Sequence, residues 1–249
     1  MGKCCVRNDK RRWDELRPIR INRNYTKFAE GSVLIEYGDT KVLCNATIEN
    51  KVPQFRRNTG KGWLTAEYSL LPRSTVNRIE REAVRSRQTS RTHEIQRIIA
   101  RSLKATIDLD AIGERTIWVD TDVLQADGGS RTAALTGGFL AVHDALNRFQ
   151  RQGIIAKSPI KEYIAAVSVG VVDGEILLDL SYEEDVRAEV NMNVVMTNDG
   201  KFIDIVTTAN EGYFEREQFD KMLDVAQVGL TQIFVIQKQA LGLNNHNKK

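Results

Sequence analysis

The sequence predicts an α+β fold with two similar lobes, each a mainly antiparallel sheet backed by helices. Short alternating runs joined by glycine turns occur in both halves of the 249-residue chain. An amphipathic helical pattern follows each set of runs. The composition, with 41% hydrophobic and 28% charged residues, is that of a globular domain with a substantial core. We therefore expect one domain over residues 1–249, with repeated halves at about 13–150 and 160–241.

The first half opens with a polar, basic segment, for which we expect a loosely held N-terminal arm up to Ile19. Alternating apolar residues then predict a hairpin with strands at 33–37 and 41–48 around Gly38-Asp39-Thr40. An arginine-rich stretch at 77–90 has no apolar periodicity. It predicts an exposed arm or loop.

Helical spacing returns after this arm. Apolar residues predict a helix from Thr92 to Leu109, with Thr89 or Ser90 as its N-cap. The segment TIWVDTDVLQ predicts a strand, and SRTAALTGGFLAVHDALNRF predicts a second helix. Two glycines separate this strand from this helix, so the order is strand, glycine turn, helix.

The second half repeats the pattern of hairpins and a helix. Turns at Asp173-Gly174 and Asn198-Asp199-Gly200 predict two hairpins, and an amphipathic helix is predicted from Glu217 to Leu241. The two halves share only weak sequence similarity. Their common order of elements is therefore what favours two similar lobes.

Composition excludes several classes of function. Three cysteines without a C-x-x-C pair predict neither a disulfide framework nor a zinc site. None of the three histidines stands in a nucleophile motif. The longest apolar runs fall short of the roughly 18 residues that a membrane span needs, and no secretory leader opens the sequence. We expect a soluble, cytoplasmic protein with no membrane partner.

Charge is distributed unevenly along the chain. Residues 1–104 contain 23 basic and 11 acidic residues, whereas residues 105–249 contain 13 basic and 22 acidic residues. A basic cluster of this size indicates phosphate binding, although it can equally contact an acidic face of another subunit.

The segment DGGSRT at 127–132 has the composition of an anion site. Two glycines let the backbone approach a ligand closely, and a helix that starts near Ser130 presents free N–H groups. Arg131 adds a charge suited to bidentate contact with phosphate. The alternative is an ordinary tight turn with a solvated arginine.

A second cluster, SYEED at 181–185, concentrates carboxylates just after a predicted strand. Such carboxylates suit Mg²⁺ or proton transfer, because hard oxygen ligands hold this ion and a positioned acid can protonate a leaving group. The alternative is a solvated acidic turn.

Several motifs over residues 13–241 together resemble the bacterial ribonuclease PH family: DELRPIRI, GKGWLTAEYSLLPRST, SRTHEIQRIIARSL, QADGGSRTAALTGG and SYEED. The resemblance implies the two-lobed fold and a phosphate-dependent 3′→5′ exoribonuclease. Such an enzyme trims tRNA precursors, with rRNA precursors as a further class. It transfers each terminal nucleotide to inorganic phosphate, releases a nucleoside 5′-diphosphate, and assembles as a hexameric ring.

Carried over residue by residue, the resemblance places the phosphate site at Arg91, Gly129, Ser130 and Arg131. The family usually has threonine at residue 130, and serine keeps the hydroxyl. Inorganic phosphate bound there would be the nucleophile.

The resemblance assigns the family's acidic pair to Asp185 and residue 191, where this chain has Asn191. An amide cannot act as a general acid, so this departure leaves open an alternative function: a catalytically weakened or inactive ring subunit that binds RNA and phosphate. Asp179 is a candidate substitute carboxylate. Asp185 is the candidate ligand for the Mg²⁺ cofactor.

Five further arginines in the basic half are candidates for contacts with the RNA backbone or, equally, with neighbouring subunits: Arg73, Arg78, Arg81, Arg85 and Arg87.

Overall fold

The computed structural model describes residues 7–84 and 87–243, which form two β-sheets and four α-helices. The predicted α+β class is confirmed. The elements in chain order are β1 (Ile19–Arg23), β2 (Gly31–Tyr37), β3 (Thr40–Glu49), β4 (Trp63–Leu70), α1 (Ser90–Thr106), β5 (Thr116–Gln125), α2 (Ser130–Arg151), β6 (Ile164–Val172), β7 (Glu175–Leu178), α3 (Tyr182–Arg187), β8 (Val190–Thr197), β9 (Phe202–Ala209) and α4 (Arg216–Ala240).

The first sheet has the strand order β1-β2-β3-β5-β4. Its pairs are antiparallel except β4 with β5, which is parallel. The predicted hairpin is confirmed, since β2 pairs with β3 up to Tyr37 opposite Thr40. Buried and partly exposed residues alternate along β3, because one face of the sheet lies on the core.

The second sheet has the order β7-β6-β8-β9 and is antiparallel throughout. Both hairpins predicted in the second half are present. Strand β6 contacts both α2 and α4, and every one of its residues is buried. Its two faces are therefore both covered, which explains its unbroken apolar sequence.

Helix α2 joins the two sheets. It contacts β2, β3 and β5 of the first sheet and β6 of the second, and it is buried almost continuously from Thr132 to Leu146. Its N-terminus follows β5 after the two glycines predicted from the sequence. That end of α2 therefore lies where the two sheets meet.

Helix α1 begins at Ser90, where the arginine-rich arm ends. Its N-cap is Thr89, whose side chain accepts a hydrogen bond from the N–H of Thr92. The helix ends at Thr106, three residues before the predicted end, because Ile107 forms a β-bridge with Ile160.

The sequence-based expectation of a loose N-terminal arm is wrong from residue 7 onward. The side chains of Arg7 and Arg17 are 3% and 4% exposed, and both form ion pairs with acidic residues beyond β7. Two strands, β1 and β4, and the short helix α3 were not predicted. Within the residues that the structure describes, no helix is both long and apolar enough to cross a membrane.

Candidate functional site

The glycine turn, residues 127–130, connects β5 to α2. Gly128 and Gly129 have φ values of 75° and 62°, a left-handed conformation that disfavours residues with a Cβ. A Cβ on Gly128 would lie 2.4 Å from the carbonyl oxygen of Leu180. Both glycines are therefore required for the turn to approach the backbone that leads into α3.

The N-terminus of α2 is open to a ligand. Its N-cap is Gly129, and no side chain among the described residues caps the helix. Its first N–H groups therefore carry a partial positive charge that is available to an anion. This geometry favours the predicted anion site over an ordinary turn.

Two arginines act at this helix end. Arg131 is the second residue of α2 and Arg91 the second of α1, so each helix presents its arginine from its first turn. The charges of Arg91 and Arg131 both lower the pKa of the Asp185 carboxyl, and both also lower the pKa of the Tyr68 hydroxyl. The structure thus brings together side chains that are far apart in sequence.

Asp185 lies in α3, opposite this helix end. A capping box fixes α3, since Ser181 accepts from the N–H of Glu184 and the Glu184 carboxylate accepts from the N–H of Ser181. Burial raises the pKa of Asp185 above its ordinary value, and the charges of Arg91, Arg131 and Arg17 oppose this only in part. A carboxyl with a raised pKa is suited to donate a proton near neutral pH.

Asn191 lies beside Asp185 at the start of β8. Its Nδ2 donates to the backbone carbonyl of Asp185 at 3.5 Å. Its Oδ1 is buried and has no hydrogen-bond partner among the described residues. The amide therefore contacts the backbone of residue 185 and leaves one oxygen acceptor unused.

Asp179 does not fit the role suggested for it as a substitute acid. Its carboxylate is fully buried and forms an ion pair with Arg17, with 2.7 Å between Oδ1 and Nη2. Burial raises its pKa, but Arg17 and Arg11 outweigh burial and the pKa is lowered. Asp179 thus stays ionised and has no proton to give.

Sequence reasoning missed Tyr68. Its hydroxyl lies 2.9 Å from the hydroxyl of Ser130, and the side chain is 2% exposed. Tyr68 therefore orients the hydroxyl at the start of α2. A contact between β4 and a helix 62 residues later leaves no local signal in the sequence.

The arginine-rich arm is exposed at Arg73, Arg78, Arg81 and Arg87, and Arg85 lies outside the described residues. Arg81 and Arg87 line a groove of about 510 Å³ whose wall includes Glu67, Asp120 and Asp122. Burial raises the pKa of Asp120 and Asp122, and nearby carboxylates raise it further. The groove therefore places Arg81 and Arg87 beside carboxylates, and Tyr68, whose hydroxyl contacts Ser130, also lines it.

Metal binding would depend on few protein ligands here. Within residues 7–84 and 87–243, no group of three or more His, Cys, Asp or Glu side chains is arranged to hold a metal ion. The Asp185 carboxylate and the unpaired Oδ1 of Asn191 are nevertheless hard oxygen donors, on two residues that are in contact through the Asp185 backbone. Mg²⁺ commonly takes one or two protein ligands and completes its shell with phosphate and water, so these residues fit that ion.

Two family models match the chain. The model described as 3′ exoribonuclease family, domain 1, matches residues 15–146, and domain 2 of the same family matches residues 162–229. A ribonuclease PH from Moorella thermoacetica is 56% identical over 228 residues, which cover 92% of this chain and 91% of the relative.

Solved structures share the fold at low sequence identity. Rice (Oryza sativa) Rrp46 superposes with a TM-score of 0.76 at 22% identity, covering 94% of this chain and all of that one. A chain from the Archaeoglobus fulgidus exosome, solved with RNA bound to its active site, has a TM-score of 0.76 at 20% identity. That match covers 92% of this chain and 91% of the archaeal chain.

Proposed function

The chain belongs to the ribonuclease PH family of 3′ exoribonucleases, and from this premise we propose how its residues degrade tRNA precursors. It is a phosphorolytic 3′→5′ exoribonuclease, a nucleotidyltransferase that uses inorganic phosphate as co-substrate. The observation that carries the proposed site is the meeting of an uncapped α2 N-terminus, Arg91 and Arg131 around one carboxyl of raised pKa.

Inorganic phosphate binds at the N-terminus of α2. The backbone N–H groups of Gly129 and Ser130, the Ser130 hydroxyl and the two guanidinium groups of Arg91 and Arg131 donate hydrogen bonds to its oxygens. These contacts hold the anion in one orientation. The phosphate is therefore prepared for attack before RNA enters.

The reaction replaces one phosphodiester bond with another P–O bond. An oxygen of the bound phosphate attacks the phosphorus of the terminal nucleotide, and the bond from that phosphorus to the 3′-oxygen of the preceding nucleotide breaks. The products are a nucleoside 5′-diphosphate and an RNA one nucleotide shorter. The departing 3′-oxygen takes a proton.

Asp185 supplies that proton. Its raised pKa keeps a larger protonated fraction near neutral pH than an ordinary aspartate has. Mg²⁺, which would be held by the Asn191 amide oxygen together with phosphate oxygens and water, would neutralise charge that develops on phosphate oxygens while the Asp185 carboxyl remains protonated as the acid.

A tRNA with a short 3′ extension tests this function. We expect the protein to shorten it only when inorganic phosphate is present and to release nucleoside diphosphates. Release of nucleoside monophosphates without phosphate would contradict phosphorolysis.

Replacing Asn191 by aspartate should raise kcat by about tenfold or more, because a second carboxyl beside Asp185 can donate or share the proton. The KM for phosphate should change little, since residue 191 does not contact the α2 N-terminus. Steady-state kinetics over a range of phosphate concentrations measures both constants. Equal kcat values for the two forms would show that residue 191 takes no part in proton transfer. An Asn191 form that binds RNA and phosphate without turnover would support the weakened-subunit alternative.

Replacing Tyr68 by phenylalanine removes the hydrogen bond that orients the Ser130 hydroxyl. The KM for phosphate should rise about 2- to 10-fold, the effect of one neutral hydrogen bond, while kcat at saturating phosphate stays near that of the native protein. A matched control is Tyr163→Phe, at a partly buried tyrosine that packs edge to face against Phe139 and lies outside the site. An unchanged KM in Tyr68→Phe would show that the contact between Tyr68 and Ser130 does not matter for phosphate.

The partners follow from the same proposal. We expect exposed arginines of the arm, Arg73 and Arg78 among them, to contact the RNA backbone or a neighbouring subunit in a hexameric ring of three dimers. The basic first half supports such contacts with RNA or with an acidic face of another subunit. The cytoplasm, where tRNA precursors are trimmed in bacteria, is the proposed location.

A further inference from the structure

We infer that Arg17 is a positioning residue for phosphate, acting through the backbone of the glycine turn together with Thr40. This inference rests on the proposed phosphate site. Arg17 is 4% exposed, so it does not reach a ligand itself. Its effect has to pass through the atoms that it holds.

The Asp179 carboxylate fixes the Arg17 side chain. The backbone N–H of Arg17 donates to Oδ2 at 2.8 Å, its Nε donates to the same oxygen at 3.0 Å, and its Nη2 donates to Oδ1 at 2.7 Å. These bonds occupy one edge of the guanidinium. The other edge of the guanidinium can still donate hydrogen bonds, and the Arg17–Asp179 pair fixes the direction in which it points.

That second edge binds the glycine turn from behind. Nη1 of Arg17 donates to the carbonyl oxygen of Asp127, and Nη2 donates to that of Gly128 at 3.4 Å. Thr40 adds a second anchor at the first residue of β3. Its hydroxyl donates to the carbonyl of Gly128 at 2.6 Å and accepts from the N–H of Asp127 at 2.9 Å.

Fixing these two carbonyls also sets the direction of the next two N–H groups. In a planar trans peptide the C=O and the following N–H point in opposite directions. Because the carbonyls of Asp127 and Gly128 face Arg17 and Thr40, the N–H groups of Gly128 and Gly129 face away from them. Successive N–H groups that point out of such a turn form an anion-binding concavity.

The same ion pair links the phosphate site to the acid. Asp179 lies between β7 and α3, six positions before Asp185. Arg7 and Arg11 hold this connection by donating to the backbone carbonyl of Asp179. Arg17 therefore connects the turn that binds phosphate in one lobe to the segment that carries Asp185 in the other.

The test compares KM for phosphate, KM for RNA and kcat in a small set of variants. Arg17→Ala and Thr40→Val should raise the KM for phosphate about tenfold, because loosened N–H groups no longer hold the anion in place. In Thr40→Val, which keeps the Arg17–Asp179 pair, both kcat at saturating phosphate and the KM for RNA should stay within about twofold of the native values. Arg17→Lys should give an intermediate KM, since lysine keeps the charge opposite Asp179 but lacks the fork that reaches two carbonyls. Calorimetric titration with inorganic phosphate alone should show the same order of affinities.

The matched control is Arg23→Ala, at a second arginine that pairs with an aspartate, Asp144, and with one backbone carbonyl. It lies away from the glycine turn, so its loss should lower the melting temperature without changing the KM for phosphate. If Arg17→Ala does not fold, Thr40→Val alone tests the positioning role, because it removes the second anchor without leaving a buried charge unpaired.

Arg131→Ala, measured in the same series, distinguishes failure of the positioning role from failure of the proposed phosphate site. If it raises the KM for phosphate while the Arg17 and Thr40 variants behave like Arg23→Ala, the positioning role is wrong and the phosphate site stands. If Arg131→Ala also leaves the KM unchanged, the proposed phosphate site itself is wrong.

Discussion

Replacing Asp185 by asparagine is expected to lower kcat for phosphorolysis by about 10²- to 10⁴-fold, the usual contribution of a general acid. Asparagine has nearly the same shape but cannot protonate the departing 3′-oxygen. The KM for phosphate should change little, because the α2 N-terminus and its arginines are untouched. Single-turnover rates on a 3′-extended tRNA at saturating phosphate measure this loss.

The pH dependence distinguishes loss of the acid from a change in shape. In the native protein the active form is protonated at Asp185, so kcat should fall as the pH rises through the raised pKa of this group. The kcat of the Asp185→Asn variant should not show this decrease with pH. If the variant keeps both the native rate and the native pH profile, Asp185 is not the acid.

Replacing Arg131 by alanine is expected to raise the KM for phosphate by about 10- to 100-fold, the range for hydrogen bonds to a charged group. The rate at saturating phosphate should approach the native rate, because Asp185 and the remaining donors are still in place. Initial rates over a wide range of phosphate concentrations measure the shift. Arg131→Lys should recover part of it, since lysine supplies charge without the bidentate fork.

The control for Arg131 is Arg151→Ala at the other end of α2, about 30 Å away along the helix axis. Arg151 is exposed, so its loss should leave the phosphate KM unchanged. Equal KM values for the Arg131 and Arg151 variants would remove Arg131 from the phosphate site.

Features with local signals in the sequence were predictable. The three hairpin turns have glycine where the backbone needs a positive φ, as at Gly38, Gly174 and Gly200. The glycine turn was recognisable because two glycines, a hydroxyl and an arginine stand directly before an apolar helical pattern. Helices α2 and α4 are long enough for their periodicity to set their bounds within two residues.

Features that depend on distant partners were not predictable. Arg17 lies in a segment whose charge suggested a solvated arm, yet its partner Asp179 is 162 residues away. No pattern in either segment marks the pair, so the sequence alone allows Asp179 as a candidate acid. Strands β1 and β4 are a different case, since both alternate between apolar and polar residues and so carried a local signal that the prediction did not use.

The most direct test of the central claim is a crystal structure with tungstate, a heavy analogue of phosphate. The anomalous signal shows where the anion binds. We predict a tungsten peak at the N-terminus of α2, with its oxygens within hydrogen-bonding distance of the N–H groups of Gly129 and Ser130 and of the Arg131 guanidinium. A peak that occurs only elsewhere, for example among the arginines of the arm, would contradict the account.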